Sequence, residues 1–288
     1  MTDTTSTSFL TPHPSLSFEF FPPKTDKGRE NLKKTLTELG KLGPEYFSVT
    51  YGAGGSTREG TVETIRTILD AGFEAAPHIA CIGSSREEIR SLLDEYKAMG
   101  VKRVVALRGD LPSGMGVGQY GDFQFATELV RFIREESGDV FKIEVAAYPE
   151  FHPQSPTARE DLLHFREKVE AGADEAITQY FYNADAYVHF VESVRKMGVE
   201  TPIVPGIMPI SNFQQLSRFS AACGAEIPRW LRKRMEGYGD EVEKMQASAT
   251  DVVARLSRQL LDAGAPGLHF YTMNKVEPTR EICQRLGW

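Results

Sequence analysis

The 288-residue chain reads as an α/β fold, a (β/α)8 TIM barrel, on three observations. Short apolar, β-rich runs recur between amphipathic stretches, the runs number eight, and glycines sit where a helical pattern stops and the next run begins. Strict alternation of strand and helix calls for a parallel sheet with right-handed crossovers, and eight parallel strands close into a barrel. An open, doubly wound sheet would show the same alternation and is the alternative fold.

The runs occupy residues 15–21, 45–51, 74–81, 103–108, 142–148, 175–181, 202–207 and 267–272. Each is short, rich in β-branched or aromatic residues and bounded by turn formers. Between them, residues 86–99 show the helical period most clearly, with Ile89, Leu92, Leu93 and Tyr96 on one face. Gly72, Gly100, Gly172 and Gly264 follow helical patterns, where a left-handed residue ends a helix. The interval before the last strand is longer than the others and holds helical sequence at 228–235 and 241–263. The reading is therefore extra helices between the seventh and eighth strands, not a second domain. Residues 1–14 read as a disordered tail and 15–288 as a single catalytic barrel domain.

Composition narrows the function. Hydrophobic residues make up 41% and charged residues 25%, an ordinary globular balance. The net charge is −7, with Lys and Arg scattered among acids, which argues against a nucleic-acid partner. No apolar run is long enough to span a membrane, and the polar first residues lack the parts of a secretory signal. Cys81, Cys223 and Cys283 are odd in number and far apart, which suits neither a disulfide framework nor a zinc knuckle and fits a reducing cytoplasm.

In such a barrel the chemistry lies at the carboxyl ends of the strands. Polar residues crowd there: Glu19 in the first strand, Thr50 and Tyr51 after the second, His78 in the third, Arg108 and Asp110 after the fourth, Tyr148, Glu150 and His152 after the fifth, Gln179 after the sixth, and Thr272 and Asn274 after the eighth. Glu19 stands between Phe18 and Phe20 and reads as a proton donor or acceptor tuned by aromatic neighbours. Arg108 and Asp110 read equally well as a loop salt bridge, and His78 and His152, taken singly, as satisfied histidines. Glu19, His78, Asp110, Glu150 and His152 are also metal-ligand types, so a metal-dependent barrel lyase is the alternative function, although none of them has helical ligand spacing and Arg108 would oppose a cation. Residues 116–121 match G-x-G-x-x-G but start well beyond a strand, and 52–57 form a glycine-rich turn that could receive a phosphate on its backbone.

Longer motifs carry a resemblance. Residues 17–23 (Ser-Phe-Glu-Phe-Phe-Pro-Pro), 48–53, 75–78, 105–112 (Val-Ala-Leu-Arg-Gly-Asp-Leu-Pro), 146–150 with His152, 177–179, 205–207 with 211–213, and 269–272 (His-Phe-Tyr-Thr) resemble, in order, the motifs of bacterial methylenetetrahydrofolate reductases. The likeness runs from about residue 15 to the C-terminus and covers the family's catalytic barrel. It implies non-covalent FAD, NADH or NADPH as hydride donor, methylenetetrahydrofolate as acceptor, a place in one-carbon metabolism and methionine supply, and a homo-oligomer. By the same resemblance Glu19 is the catalytic acid and Asp110 lies beside flavin and folate. FAD contacts carry over to Thr50, Ala53, His78, Leu107, Arg108, Gly109, Asp110, Tyr120, Gly121, Tyr148, His152, Asp161 and Lys168. Substrate contacts carry over to Gln179, Gln215, Phe219 and Lys275. At Lys275 many relatives have arginine, so a two-pronged carboxylate contact becomes a point charge. Opening the folate ring needs a proton on the departing nitrogen, and a carboxylic acid kept neutral by Phe18, Phe20 and Phe21 would supply it.

Overall fold

A computed structural model describes residues 14–51, 58–109 and 121–288. The expected tail, but for Pro14, lies outside them. Among the described residues nine strands form one parallel sheet in the order β7-β6-β5-β4-β3-β2-β1-β9-β8. They are β1 (Ser15–Phe20), β2 (Tyr46–Val49), β3 (Ala75–Ala80), β4 (Arg103–Leu107), β5 (Lys142–Ala147), β6 (Glu175–Thr178), β7 (Ile203–Val204), β8 (Gly206–Ile207) and β9 (Gly267–Tyr271). The helices are α1 (Asp26–Gly40), α2 (Arg58–Asp70), α3 (Arg86–Ala98), α4 (Ala126–Ser137), α5 (Ala158–Glu170), α6 (Ala184–Lys196), α7 (Phe213–Cys223), α8 (Arg229–Glu236), α9 (Val242–Asp262) and α10 (Thr279–Leu286).

Nine strands make eight barrel staves because Pro205 divides the seventh. Proline has no N–H to give a ladder, so β7 pairs with β6 and β8 pairs with β9 on either side of it. The Pro205 carbonyl still accepts from the His269 amide at 3.1 Å. Closure is tight here: the Gly206 amide donates to Thr178 Oγ1 at 2.9 Å, and the Tyr271 hydroxyl donates to the Thr178 carbonyl at 2.7 Å. A Cβ on Gly206 would lie 2.2 Å from that carbonyl oxygen, so only glycine fits between β6 and β9. The three helices α7, α8 and α9 all fall between β8 and β9, where the sequence shows its long helical interval.

The period of two along each strand splits the core into two layers. Leu16, Phe18, Phe20, Phe47, Val104, Val145 and Phe270 point outward into the main core shared with the helices. Tyr46, Ala76, Val105 and Ile177, with Leu107 and Tyr271 against them, fill the barrel interior. At the amino-terminal end that interior turns ionic. Arg103, 3% exposed, donates to Glu144, Glu175, Glu45 and Glu74, while Lys142 pairs with Glu175. The Tyr46 ring lies 4.1 Å below the guanidinium carbon and its hydroxyl donates to Glu144 Oε2 at 2.9 Å.

Candidate active site

The alternation that buries Phe18 and Phe20 sends Ser17 and Glu19 to the barrel interior. The aromatic surroundings expected for Glu19 are therefore not its surroundings: Phe18 packs at a tilt against Phe47 and Phe270 on the helix side of the sheet, and Phe21 is 38% exposed beyond the strand. Adjacent residues in a strand point to opposite faces, so sequence neighbours of Glu19 do not enclose it. Glu19 faces two imidazoles instead. Its Oε2 lies 3.4 Å from His78 Nε2 of β3 and 3.7 Å from His269 Nε2 of β9. Neither approach has hydrogen-bond alignment, and both Nε2 atoms are buried with no other partner among the described residues. Burial holds the His78 imidazole below its usual pKa, opposed by Glu19 and aided by His269, so it is neutral at pH 7. On the far side His269 Nδ1 lies 2.7 Å from Ser17 Oγ.

His269 is the residue that sequence reading did not single out. Its signal is parity: in the run 267–271, Leu268 and Phe270 face the helices, so His269 must face the axis with Tyr271. Thr50, just past β2, also presents a buried Oγ1 without a partner among the described residues. The end of β1 is clasped from β9: Thr272 Oγ1 donates to the Glu19 carbonyl at 2.7 Å, and the Asn274 side chain bonds both the amide and the carbonyl of Phe21, at 3.0 and 2.8 Å. Met273 and Asn274 hold φ of 53° and 54°, a left-handed pair that side chains seldom adopt.

A second group forms where β4 and β5 end. Leu107 closes β4, and Arg108 turns its guanidinium to the Gln154 side chain. Gly109 has φ 83°, and a Cβ there would lie 2.9 Å from the Ala80 Cβ, so it must be glycine. His152 meets the Tyr148 ring edge-on at 4.5 Å. The Asp161 carboxylate accepts from the His152 amide at 3.2 Å and from Ser155 Oγ at 2.9 Å. Lys168 donates to the Ala146 carbonyl, and desolvation brings its ammonium down to about 8 against the pull of Asp161. Gly121 packs on the backbone at Ser84. Asp110, Ala53 and Tyr120 lie outside the described residues, as do both glycine-rich stretches but for Gly121.

Gln179 follows β6, its Oε1 accepting from the Tyr180 amide at 3.0 Å. The Tyr180 hydroxyl meets Ser220 Oγ at 3.0 Å, which docks α7 and leaves Gln215 and Phe219 on the exposed side of that helix. Lys275 Nζ reaches Ser211 Oγ at 3.3 Å. Glu150 does not join Glu19: it accepts from the Glu226 amide at 2.8 Å, and burial raises its pKa. Among the described residues no cluster of three or more His, Cys, Asp or Glu is arranged to hold a metal ion, and no helix is long and apolar enough to cross a membrane.

Comparison with known proteins places this arrangement. The family model described as methylenetetrahydrofolate reductase matches residues 7–287. The chain is 38% identical over 274 residues to the 5,10-methylenetetrahydrofolate reductase of Escherichia coli (strain K12), covering 95% of this chain and 90% of that protein. It is 39% identical to the Pectobacterium carotovorum protein of the same name over the same shares. It is 38% identical to methylenetetrahydrofolate reductase (NADH) 1 of Arabidopsis thaliana, covering 95% of this chain and 48% of that protein. A solved structure titled as an uncharacterized protein from Clostridium thermocellum that binds two copies of 5-methyl-5,6,7,8-tetrahydrofolic acid has the same fold, with a TM-score of 0.68 at 16% identity over 95% of this chain and 93% of that one. The chain belongs to the methylenetetrahydrofolate reductase family.

Proposed function

We propose that this barrel reduces 5,10-methylenetetrahydrofolate to 5-methyltetrahydrofolate with NADH or NADPH through bound FAD, and that Glu19 is the acid. The observation that carries the reading is the Glu19 carboxylate at the mouth of the barrel, 19% exposed, facing two buried imidazoles. The residues fit a flavin dinucleotide. Among the described residues Thr50 Oγ1 and His78 Nε2 are buried polar atoms without aligned partners, the Lys168 ammonium donates to the neutral Ala146 carbonyl, and Gly109 gives a backbone on which no side chain projects. Thr50, His78, Leu107, Arg108 and Gly109 would line one part of the cofactor, and Tyr148, His152, Asp161 and Lys168 another. Ala53, Tyr120 and Gly121 complete the set by resemblance. When bound, FAD supplies the hydride relay between nicotinamide and the folate methylene carbon.

The chain's own work is proton delivery and positioning. Glu19 gives its proton to the departing nitrogen of the five-membered folate ring, which opens to an electrophilic iminium able to accept hydride. Gln179 and Gln215 offer amides to orient substrate, exposed Phe219 offers a ring to stack on it, and Lys275 offers a cation to its glutamate tail. Asp110 is assigned to the pterin by its place in the Arg-Gly-Asp-Leu-Pro motif.

The test begins with the purified protein. A flavin absorbance spectrum and chromatographic release of FAD are expected; FMN or no flavin would overturn the cofactor assignment. Stopped-flow measurement then separates flavin reduction by NADH from reoxidation by methylenetetrahydrofolate. Glu19→Gln should leave the first within about threefold and slow the second on the order of 100- to 10,000-fold, the range for a lost general acid. A near-normal second rate would remove Glu19 from the mechanism.

A further inference from the structure

Helix α7 carries two of the proposed substrate contacts on little packing of its own. Of its 11 residues Leu216 and Ser220 are buried, whereas Gln215 and Phe219 are exposed. A helix with so short an apolar stripe takes its position from what grips its ends. The amino-terminal end is capped from within, the Asn212 side chain accepting from the Gln215 amide at 2.9 Å. The carboxyl-terminal end is held from two neighbouring strands. From β6, the Tyr180 hydroxyl meets Ser220 Oγ at 3.0 Å and accepts from Cys223 Sγ at 3.3 Å. From the segment after β5, Glu150 Oε2 accepts the backbone amide of Glu226 at 2.8 Å, and Pro153 packs on Gly224, where a Cβ would lie 3.0 Å from its ring.

The segment that grips α7 is the one that presents Tyr148 and His152, and it is itself tightly set. The Phe151 amide donates to the Tyr148 carbonyl at 3.1 Å, and the His152 amide donates to Asp161. Phe151 between them holds φ of 57°, a conformation that a bulky residue keeps only where its surroundings over-determine it. Glu150, half-buried, reaches from this fixed segment to a backbone amide 76 residues further on. Tyr148, Glu150, Phe151, Gln179, Tyr180 and Cys223 line one cleft between these elements. The Glu150 bond therefore joins the part of the site proposed for the cofactor to the part proposed for the substrate.

We propose that Glu150 is a positioning residue that ties segment 148–153 to the end of α7 and so sets Gln215 and Phe219 in place for the folate. This rests on the assignment of Tyr148, His152, Gln215 and Phe219 above. Glu150 acts through the helix and not on the reacting atoms. The bond needs an acceptor oxygen and not a charge, because its donor is a backbone N–H. Glutamine can therefore replace glutamate in this role, and alanine cannot.

Hydrogen exchange of the purified protein, read by mass spectrometry on peptides covering 213–226, follows the helix without any turnover. Glu150→Ala should speed exchange there about five- to tenfold, the worth of one hydrogen bond, while Glu150→Gln should stay within about twofold of the wild type. In the second arm, stopped-flow reoxidation by methylenetetrahydrofolate, Glu150→Ala should raise the half-saturating folate concentration about five- to tenfold and leave the limiting rate within about twofold, the pattern of lost binding and not of lost chemistry. Glu150→Gln should restore the wild-type concentration. Exchange over 213–226 or half-saturation that is unchanged in Glu150→Ala overturns the proposal, and so does a Glu150→Gln that behaves as Glu150→Ala. A wild type that never reduces methylenetetrahydrofolate would instead sink the functional reading, and the exchange measurement would still decide whether Glu150 holds α7.

Discussion

Lys168, proposed above as a cofactor contact, would record cofactor binding in its own titration. Its stem is partly exposed, but its ammonium sits on the Ala146 carbonyl with Asp161 as the nearest charge, and desolvation lowers it to about 8. Because the folded pKa lies below the unfolded value of about 10.4, the unfolded chain holds more protons between those values. The cost of burying the ammonium is thus present below pH 8 and fades as pH rises through that window. An anionic pyrophosphate binds the charged form, so FAD affinity of the apoprotein should be level below pH 8 and fall up to about tenfold per pH unit above it. Lys168→Met should bind FAD more weakly at pH 7 and flatten that slope. Titration of apoprotein with FAD at pH 7, 8 and 9 checks both, and a slope unchanged in the variant would detach Lys168 from the cofactor. At this scale the sequence was informative about identity and poor about direction. Glu19 stood out as an acid in an apolar strand, whereas its true neighbours, His78 and His269, come from strands 59 and 250 residues away and are brought together only by closure of the barrel.

Elements were more legible than the contacts between them. The first strand and the helix after the third appear within a residue or so of where periodicity puts them, at Ser15–Phe20 and Arg86–Ala98, because period 2 and period 3.6 are local signals. The division of the seventh strand follows from Pro205, whose consequence depends on having a partner on each side. The clasp between β1 and β9 was not legible, since Asn274 reaches Phe21 across most of the chain. That clasp supports the strand end that carries Glu19. Asn274→Ala removes both side-chain bonds and puts alanine at φ 54°. Together these should cost about 2 to 4 kcal/mol of stability, one to two for the lost bonds and one to two for the left-handed backbone. Asn274→Gly spares the backbone part and should lose less. Chemical denaturation of the three proteins orders them; equal loss in alanine and glycine would show that the side-chain bonds alone matter.

The whole molecule places the candidate active site and a buried ionic cluster at opposite ends of one axis. At the mouth Glu19 faces the imidazoles of His78 and His269, while at the amino-terminal end one guanidinium serves four carboxylates with Lys142 assisting. Glu144 and Glu175 are almost fully buried, so without Arg103 they would face each other across β5 and β6 with only Lys142 nearby. Removing one partner from a buried ionic group typically costs about 3 to 5 kcal/mol, because the charges left behind remain desolvated. Arg103→Met should therefore be strongly destabilised at pH 8. Unpaired, the buried carboxylates would have folded pKa values above their unfolded ones, so the folded variant would bind more protons than the unfolded chain and would regain stability as pH falls toward 5.5. In the wild type burial already holds the Glu144 carboxyl above its usual range although Arg103 opposes it, so a gain of the same sign but smaller is expected. Melting temperatures of both proteins at pH 5.5 and 8 provide the test. A gap that stays constant between the two pH values would mean that Arg103 holds the barrel by packing on Tyr46, not by neutralising the carboxylates beneath the active site.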